Sequence, residues 1–401
     1  MSKSKKYYMI KYEIIPSQNK KEEQKELPEK DTLIDSYLFN KYKLLKKLGK
    51  GSFGCIYLCK EKNTNNFFAA KLENKQTSIN ILEQEYQIMN SIKSDKIPLV
   101  KKFGQNDNYN ILIMQLLGKS LEQIFEEILF KQKMSLHCIC NIAIQIIEIL
   151  EQIHSKNIIH RDIKPSNFLL GNEINNNNIL YLIDFGLAKK YRDEINNKHF
   201  EMKKGKKLIG TARFASINAM EGISQSRRDD LESAIYILIY LFKGKLPWQN
   251  FLIKNKEERY YKIKEMKKNI DINILCEQCP KEFCEYIKYI KQLEYEEEPN
   301  YHFLRNLFNN ILNENGFKFD YFYDWDNNKA MIDINQYIDF IEDENNLKLP
   351  LDKILYKKKI RKKRNKSQDK STNDGGKEDD EYNNSSELMN FQNNSGCCII
   401  V

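Results

Sequence analysis

The sequence predicts an α+β fold of two lobes, a small β-rich lobe over residues 42–116 and a larger, mainly helical lobe over residues 117–327. The first observation behind this prediction is a series of short β-type runs separated by polar turns at the start of the domain. The second is a change to helical spacing of apolar residues in the remainder. With 401 residues, of which 41% are hydrophobic, the chain can bury a sizeable core.

Three antiparallel strands are predicted at the start of the small lobe, over residues 42–48, 55–60 and 67–72. A helix follows from Ile81, and Glu85 lies in the middle of its apolar stripe. We expect Glu85 to pair with Lys71 of the third strand, because a buried carboxylate and a buried ammonium each carry a large desolvation cost unless they meet. The alternative is a Glu85 side chain that extends to solvent.

The larger lobe is predicted to begin after a central strand over residues 111–117. Residues 136–153 have the clearest helical pattern. Residues 234–242 are expected to be the most buried segment, because they form the longest apolar run of the chain. Nine residues are about half of what a membrane crossing requires, so this run predicts a core helix.

Cysteine usage, the N-terminal residues and net charge predict where the protein acts and which partners it binds. The nine cysteines lack the two C-x-x-C pairs that are typical of zinc sites, so we expect reduced thiols. The N-terminal residues carry no apolar core after their charges, which argues against a signal peptide, and Ser2 stands where myristoylation needs glycine. We therefore expect an intracellular, cytoplasmic protein. Its net charge of +9 favours acidic partners such as phosphorylated protein, an anionic membrane or nucleic acid.

Two motifs predict phosphoryl-transfer chemistry. The first is HRDIKPSNFLL over residues 160–170, and the second is LIDFGLA over residues 182–188. Asp162 and Asn167 stand five residues apart in a predicted loop, and Asp184 ends an apolar strand. Two carboxylates and an amide at such positions can converge on metal-bound phosphates.

A glycine-rich turn over residues 49–54 predicts the nucleotide site. Strand-like residues lie on both sides of this turn, which favours a β-hairpin lid over ATP phosphates and not a dinucleotide fold. Lys71 is expected to hold the α- and β-phosphates, and Met114 to stand at the back of the adenine pocket. The expected nucleotide-binding residues are Leu48, Gly49, Lys50, Gly51, Ser52, Phe53, Gly54, Cys55, Ile56, Ala69, Lys71, Met114, Gln115 and Leu117.

Each residue of the reacting centre is given a role. We expect Asp162 to accept or orient the proton of the substrate hydroxyl and Lys164 to contact the γ-phosphate. Asn167 and Asp184 are the expected Mg²⁺ ligands. A lysine two residues after Asp162 indicates transfer to Ser or Thr hydroxyls rather than to tyrosine.

Over about residues 42–325 the chain closely resembles the casein kinase I family of Ser/Thr protein kinases. Besides the two motifs above, the segments that carry the resemblance are LLGKSLE at 116–122, GTARFASIN at 210–218, SRRDDLES at 226–233, LPWQ at 246–249 and FDYFYDW at 319–325. The SIN tripeptide is discriminating, because most protein kinases carry APE there. Departures from the family pattern, Gln115 and Ala234-Ile235 among them, leave the catalytic positions intact.

The resemblance implies a two-lobed protein kinase fold and a constitutively active kinase that prefers acidic or phosphorylated substrates. The residues support this preference independently, because residues 189–213 hold nine basic side chains against three acidic ones, a net of +6. The alternative interpretation is that these basic side chains form an ordinary solvated surface. Arg213, Lys206 and Arg259 match family positions that contact phosphate or other anions. The resemblance also implies that Thr211 braces Asp162 and Lys164.

The two termini are predicted to be extensions. Residues 1–41 read as a flexible N-terminal extension, and residues 328–401 as a C-terminal one in which an amphipathic piece, residues 332–341, packs on the domain. Residues 357–366 hold eight basic residues in ten. The final residues fit a C-a-a-X pattern for lipidation of Cys398, with Cys397 as a neighbouring palmitoylation site.

Several functions therefore stay open from the sequence. The leading hypothesis is an ATP- and Mg²⁺-dependent Ser/Thr kinase, monomeric, which acts on acidic or phosphorylated proteins and associates with an anionic membrane through its tail. A second is a catalytically idle scaffold that binds phosphoproteins through the basic loop. Nuclear localisation is an alternative reading of the basic run. Nucleic-acid binding is not expected, because no aromatic residue interleaves that run.

Overall fold

The structure is a computed structural model, and it describes residues 32–51, 54–76 and 80–334. Several sequence predictions lie outside these ranges. They concern Ser52 and Phe53 of the glycine-rich turn, most of the amphipathic piece over residues 332–341, the basic run over residues 357–366, and the cysteines Cys397 and Cys398.

The small lobe is built on one antiparallel sheet. Its strands within the described ranges are β1 (Tyr37–Leu38), β2 (Tyr42–Gly51), β3 (Gly54–Glu61), β4 (Phe67–Asn74), β5 (Val100–Gln105) and β6 (Tyr109–Gln115). They are hydrogen-bonded in the order β1-β2-β3-β4-β6-β5. Helix α1 (Ile81–Ile92) follows β4 in the chain. The predicted three strands and the predicted helix are confirmed, and the predicted central strand ends at Gln115, two residues early.

Strand β1 corrects the predicted N-terminal extension. Residues 32–41 are part of the fold, because Leu38 is buried and pairs with Tyr42, and the backbone N–H of Leu44 donates to the Ser36 carbonyl at 2.9 Å. The prediction of flexibility over residues 1–41 is therefore wrong for this end of the segment. Two residues of strand are too short to show a period of two in the sequence.

The larger lobe is mainly helical. Its helices are α2 (Leu121–Gln123), α3 (Leu136–Ser155), α4 (Ile217–Met220), α5 (Arg227–Lys243), α6 (Lys256–Asn269), α7 (Ile272–Leu275), α8 (Lys281–Gln292), α9 (Tyr301–Glu314) and α10 (Asn327–Ala330). A π-helical turn (Ile124–Ile128) follows α2, and 3₁₀ turns cover Pro165–Asn167 and Phe185–Leu187. The short strands are β7 (Leu117–Ser120), β8 (Ile158–Ile159), β9 (Phe168–Gly171), β10 (Leu180–Leu182) and β11 (Lys189–Lys190).

Helices α3 and α5 form the centre of this lobe. Helix α3 packs against α5 and α9, and the Ser135 hydroxyl caps it by accepting from the Cys138 N–H at 3.2 Å. By length and composition α3 could cross a membrane, but 72% of its most apolar window is buried inside the domain, as a core helix requires. The apolar run over residues 234–242 lies in α5 and is buried apart from Phe242, which is partly exposed. The predicted two-lobed α+β organisation is thus confirmed.

Candidate functional site

A buried carboxylate of α5 holds the loop His160–Asn167 in place. The buried Asp230 carboxylate accepts from the backbone N–H groups of His160, at 2.7 Å, and Arg161, at 2.9 Å. His154 of α3 also contacts Asp230 at 3.0 Å. Arg161 adopts a left-handed backbone conformation, φ 67°, which a non-glycine residue keeps only where the surroundings enforce it. Asp230 supplies that enforcement.

Asp162 is oriented by the segment that follows the basic loop. Its Oδ1 accepts from both the backbone N–H and the hydroxyl of Thr211, each at 2.9 Å, and its Oδ2 lies 2.7 Å from Lys164 Nζ. Lys164 Nζ is also 3.4 Å from the Thr211 hydroxyl. The predicted bracing contact of Thr211 with both residues is confirmed. Gly210 permits this approach, because at φ 95° a Cβ there would lie 2.4 Å from the Arg161 carbonyl oxygen.

The predicted pairing of Lys71 with Glu85 is also confirmed. Lys71 Nζ lies 2.6 Å from Glu85 Oε2 and 2.9 Å from Asp184 Oδ1, so one ammonium joins the sheet, α1 and the segment after β10. Lys71 and Glu85 are 5% and 1% exposed, which rules out a Glu85 side chain that extends to solvent. The two carboxylates offset the desolvation cost of the buried ammonium.

Electrostatics keep this cluster charged. Burial acts to lower the pKa of Lys71, but the nearby charges of Asp184 and Glu85 outweigh it and raise that pKa above its ordinary value. Burial likewise acts to raise the pKa of Asp184, but the Lys71 ammonium lowers it below the ordinary value. For Glu85, burial prevails and raises the pKa. At neutral pH the site therefore presents a permanent ammonium beside an ionised Asp184.

The structure brings Asn167 and Asp184 together, as predicted. The Ile183 backbone N–H donates to the Asn167 carbonyl at 3.0 Å, which places the next residue, Asp184, beside the loop. The Asn167 amide nitrogen donates to the Asp162 carbonyl at 2.9 Å, so the amide oxygen is the atom of that side chain suited to a cation. A carboxylate and an amide oxygen fit a hard divalent cation such as Mg²⁺. In the described part of the chain no group of three or more His, Cys, Asp or Glu residues fits a metal ion.

Most of the expected nucleotide residues within the described ranges lie on strands β2, β3, β4 and β6 of the small-lobe sheet. Gly49, Lys50 and Gly51 pair with Ile56, Cys55 and Gly54 across the predicted hairpin, and Ala69 pairs with Met114. Leu48 and Ile56 pack against the same apolar cluster as Ala69 and Met114. Gly54 has to be glycine for a local reason, because a Cβ would lie 2.2 Å from the Leu72 carbonyl oxygen. Cys55 packs against the separate cluster on the far side of the sheet, so its side chain does not belong to the nucleotide site.

The segment that joins the two lobes, residues 115–117, is here called the hinge. It lies where β6 ends and β7 begins. Gln115 ends β6, and its side-chain oxygen accepts from the Leu99 N–H at 3.2 Å. Leu117 begins β7 and is buried. The Gln115 backbone N–H donates to the Leu99 carbonyl at 2.9 Å, so this group is already used within the fold, and contact of the backbone at residues 115–117 with a purine edge stays a prediction.

The basic loop lies beside the reacting centre. Strand β11 at its start pairs with β8, which directly precedes His160. Arg161, Lys203 and Lys206 are close enough to Lys189 that their charges, after the effect of burial, lower the pKa of Lys189. A cluster of mutually repelling cations attracts anions.

Two of the three predicted anion-binding residues are on segments that contact one turn, residues 220–222. The Lys206 backbone N–H donates to the Gly222 carbonyl at 2.9 Å, and Tyr260, next to Arg259 on α6, donates to the Met220 carbonyl at 2.5 Å. The Arg213 side chain is 41% exposed, and its guanidinium lies 3.6 Å from Glu122. No hydrogen bond or ion pair joins the side chains of the three residues in the described part of the chain, so a shared anion site stays a prediction.

Two functional residues escaped the sequence analysis. Asp230 belongs to the quoted SRRDDLES segment, yet its partners stand about 70 residues earlier in the chain. Lys267 on α6 is buried and donates to the carbonyls of Ala212, at 3.0 Å, and Ala215, at 2.5 Å, which flank Arg213. The available signal for Asp230 was a pair of acidic residues in front of an apolar helix. Lys267 gave none, because the helix around it is polar on every side.

Comparison with protein-family models shows which family the chain resembles. The model of the protein kinase domain matches residues 42–314, about two-thirds of the chain. The matched range runs from the first residue of β2 to the last residue of α9 and contains every residue of the site described above.

Proposed function

The chain belongs to the protein kinase family, and on this premise we propose that it is a Ser/Thr kinase of casein kinase I type, which uses ATP and Mg²⁺. The observation that carries this proposal is the double contact of Lys71 Nζ with Glu85 and Asp184. Phosphoryl transfer needs positioning and charge more than covalent chemistry from the protein, and this cluster provides both.

The chain's own residues divide the work. Lys71 holds the phosphates of ATP, and Glu85 fixes the direction of its ammonium. Asp162 receives the proton of the attacking hydroxyl, and its carboxylate is already oriented by Thr211 and Lys164. Asn167 and Asp184 would hold the divalent cation, which supplies positive charge to the phosphate oxygens when it is bound.

A radiometric assay with γ-labelled ATP and casein tests this function. We expect transfer of label that requires Mg²⁺, and phosphoamino-acid analysis should recover the label on serine and threonine. Label on tyrosine would contradict the Ser/Thr assignment. A protein that binds phosphopeptides without any turnover would instead support the idle scaffold.

We further propose that acidic or phosphorylated side chains near the target hydroxyl are recognised by the basic loop. Arg213 stands two residues after Thr211, which touches Asp162, and its side chain is 41% exposed, so part of it is open to solvent or to a substrate. Arginine pairs with phosphate through two parallel, charge-assisted hydrogen bonds. The Lys206 backbone is bonded to the turn at residues 220–222, and α6, which carries Arg259, contacts the same turn through Tyr260, so we expect both cations to add to the positive field.

Paired peptides test this recognition. Arg213→Ala should raise KM for an acidic or phosphorylated peptide by about tenfold, as expected for a charge-assisted contact of roughly 1.4 kcal/mol, and leave KM for a neutral peptide within twofold. Lys198→Ala is the matched control, because it removes one charge from an exposed turn of the same loop. An equal loss on both peptides would contradict the proposal.

We also propose that the tail binds anionic membranes after lipidation of Cys398, with Cys397 as an additional palmitoylation site. One lipid chain gives only reversible binding, so the basic run over residues 357–366, or a second chain on Cys397, would supply the second signal. Intact mass spectrometry of protein from a eukaryotic host tests the modification, and flotation with phosphatidylserine vesicles tests the binding. An unmodified C-terminus, or modified protein that stays unbound, would contradict it.

A further inference from the structure

A second buried carboxylate lies on the same strand as Lys71 and plays no part in the chemistry assigned so far. Glu73 stands two residues after Lys71 on β4, so both side chains project from the same face of the sheet. Glu73 has no exposed surface. A carboxylate in such a position needs full hydrogen bonding.

Glu73 finds its partners at the start of α1. Its Oε1 accepts from the backbone N–H of Ile81, at 3.1 Å, and of Leu82, at 3.2 Å. Its Oε2 accepts from the side-chain amide of Asn110 on β6, at 2.9 Å. Both carboxylate oxygens are thus used, one for the helix and one for the sheet.

The first residue before α1 does not cap the helix itself. Asn80 occupies the capping position in a left-handed conformation, φ 45°, and its side chain makes no hydrogen bond to the helix N–H groups. A helix leaves its first N–H groups without internal partners, and its positive end favours a carboxylate. Glu73 therefore supplies from the sheet what a neighbour in sequence normally supplies.

The geometry turns this cap into a second fixed point between α1 and β4. Glu85 stands four residues after Ile81 and three after Leu82, and so lies one helical turn along the same face. Lys71 and Glu73 are separated by a similar step along the strand. The helix is thus tied to the strand at two parallel points, one at each of these carboxylates.

We propose that Glu73 is a positioning residue for the phosphoryl-transfer reaction: it fixes the start of α1 to β4 and thereby holds Glu85 against Lys71. The inference rests on the proposed kinase function. Within the described residues, the Glu73 carboxylate is hydrogen-bonded to the start of α1 and to Asn110 and not to the residues assigned to the reacting centre, so we expect its effect on catalysis to pass through Glu85.

Steady-state kinetics test the proposal. Glu73→Ala should lower kcat/KM for ATP about tenfold, the factor that corresponds to about 1.4 kcal/mol. Glu73→Gln should keep activity within about threefold, because the amide still offers an oxygen to α1. Glu61→Ala is the matched control: Glu61 is a buried carboxylate of the same sheet, its side chain contacts Lys41, Thr64 and Asn66, and its loss should leave kcat/KM within twofold.

Two further measurements separate positioning from general stability. In a Glu85→Gln background, Glu73→Ala should lower kcat/KM by less than twofold, because the residue it positions has already been changed. Hydrogen exchange at the amides of α1 should accelerate in Glu73→Ala and not in Glu61→Ala. A tenfold loss of equal size in both backgrounds, or wild-type kinetics in Glu73→Ala, would overturn the proposal.

The proposal can still be tested if Glu73→Ala fails to fold or if the wild-type protein transfers no phosphate. If Glu73→Ala does not fold, Asn110→Ala removes the donor that orients the carboxylate and should lower kcat/KM about threefold, and wild-type kinetics there would count against the proposal. If the wild-type protein transfers no phosphate, the proposed function fails, and the exchange rates of α1 still decide whether Glu73 fixes the helix.

Discussion

Lys71 and Lys267 are two buried ammonium groups whose surroundings give them opposite properties. Lys71 meets two carboxylates, and its pKa is raised. Lys267 donates to two backbone carbonyls and lies 4.6 and 4.9 Å from the ring centres of Tyr236 and Trp248. Burial lowers the pKa of Lys267 to about 7, and the charge of Glu232 only partly offsets it.

This difference in surroundings indicates a different role for each lysine. An ammonium between carboxylates stays charged and costs little to bury, so it can attract a triphosphate throughout the physiological pH range. An ammonium among carbonyls and rings acts as a hydrogen-bond donor, and it holds the backbone on both sides of Arg213. Exchanging either lysine for a neutral side chain of similar length should therefore have different consequences.

The largest expected effect follows loss of the Lys71 charge. Lys71→Met should lower kcat by at least about a thousandfold, equivalent to roughly 4 kcal/mol, because the variant keeps the volume of the side chain but removes the charge that holds the phosphates. The assay is transfer of labelled phosphate to casein at saturating ATP. A loss of less than tenfold would contradict the difference between the two lysines, since Lys71 would then have a structural role like that of Lys267.

The next effect is on stability. Lys267→Met should lower the free energy of unfolding at pH 7.5 by about 2–4 kcal/mol, because the carbonyls of Ala212 and Ala215 lose their donor inside the fold. Urea denaturation measures this change. The kcat for a neutral peptide should stay within fivefold, and a thousandfold loss would show that the two lysines do not differ in role.

The smallest effect is a spectroscopic titration. Lys267 should protonate with a midpoint near pH 7, and the emission of Trp248, 4.9 Å away, should change over that range. Lys267→Met should abolish the change, which excludes Trp325 as its source. Because the folded pKa lies below the unfolded one, the unfolded state binds more protons between about pH 7 and 10.5, so the contribution of Lys267 to stability rises across this window. A flat titration would contradict the assignment.

The sequence predicted the parts of the site that local patterns encode. Asp162, Asn167 and Asp184 follow from motif spacing, and the Lys71–Glu85 pair follows from a carboxylate on an apolar stripe. These residues could be identified because each one interrupts a local sequence pattern, either a run of strand-type residues or the helical spacing of apolar residues.

The remaining residues could not be predicted because their partners are distant in the chain. Asp230 reads as an acidic residue in the first turn of a helix, a favourable place that needs no further explanation. Glu73 directly follows the strand that the sequence predicts over residues 67–72, where a carboxylate is expected to be solvated, and only its hydrogen bonds to α1 show otherwise. Lys267 is one of several lysines in a helix whose sequence has no apolar face. In each case only the tertiary contact distinguishes a functional residue from a surface one.

The most direct test of the central claim compares the wild-type protein with Asp184→Asn in the labelled-ATP assay on casein, with Asp35→Asn, an exposed aspartate of the small lobe, as the control. The claim is that Lys71, Glu85 and Asp184 form one charged cluster that carries phosphoryl transfer. The account predicts robust labelling by the wild type and the control and at least about a thousandfold less by Asp184→Asn. Equal labelling by all three proteins would contradict it.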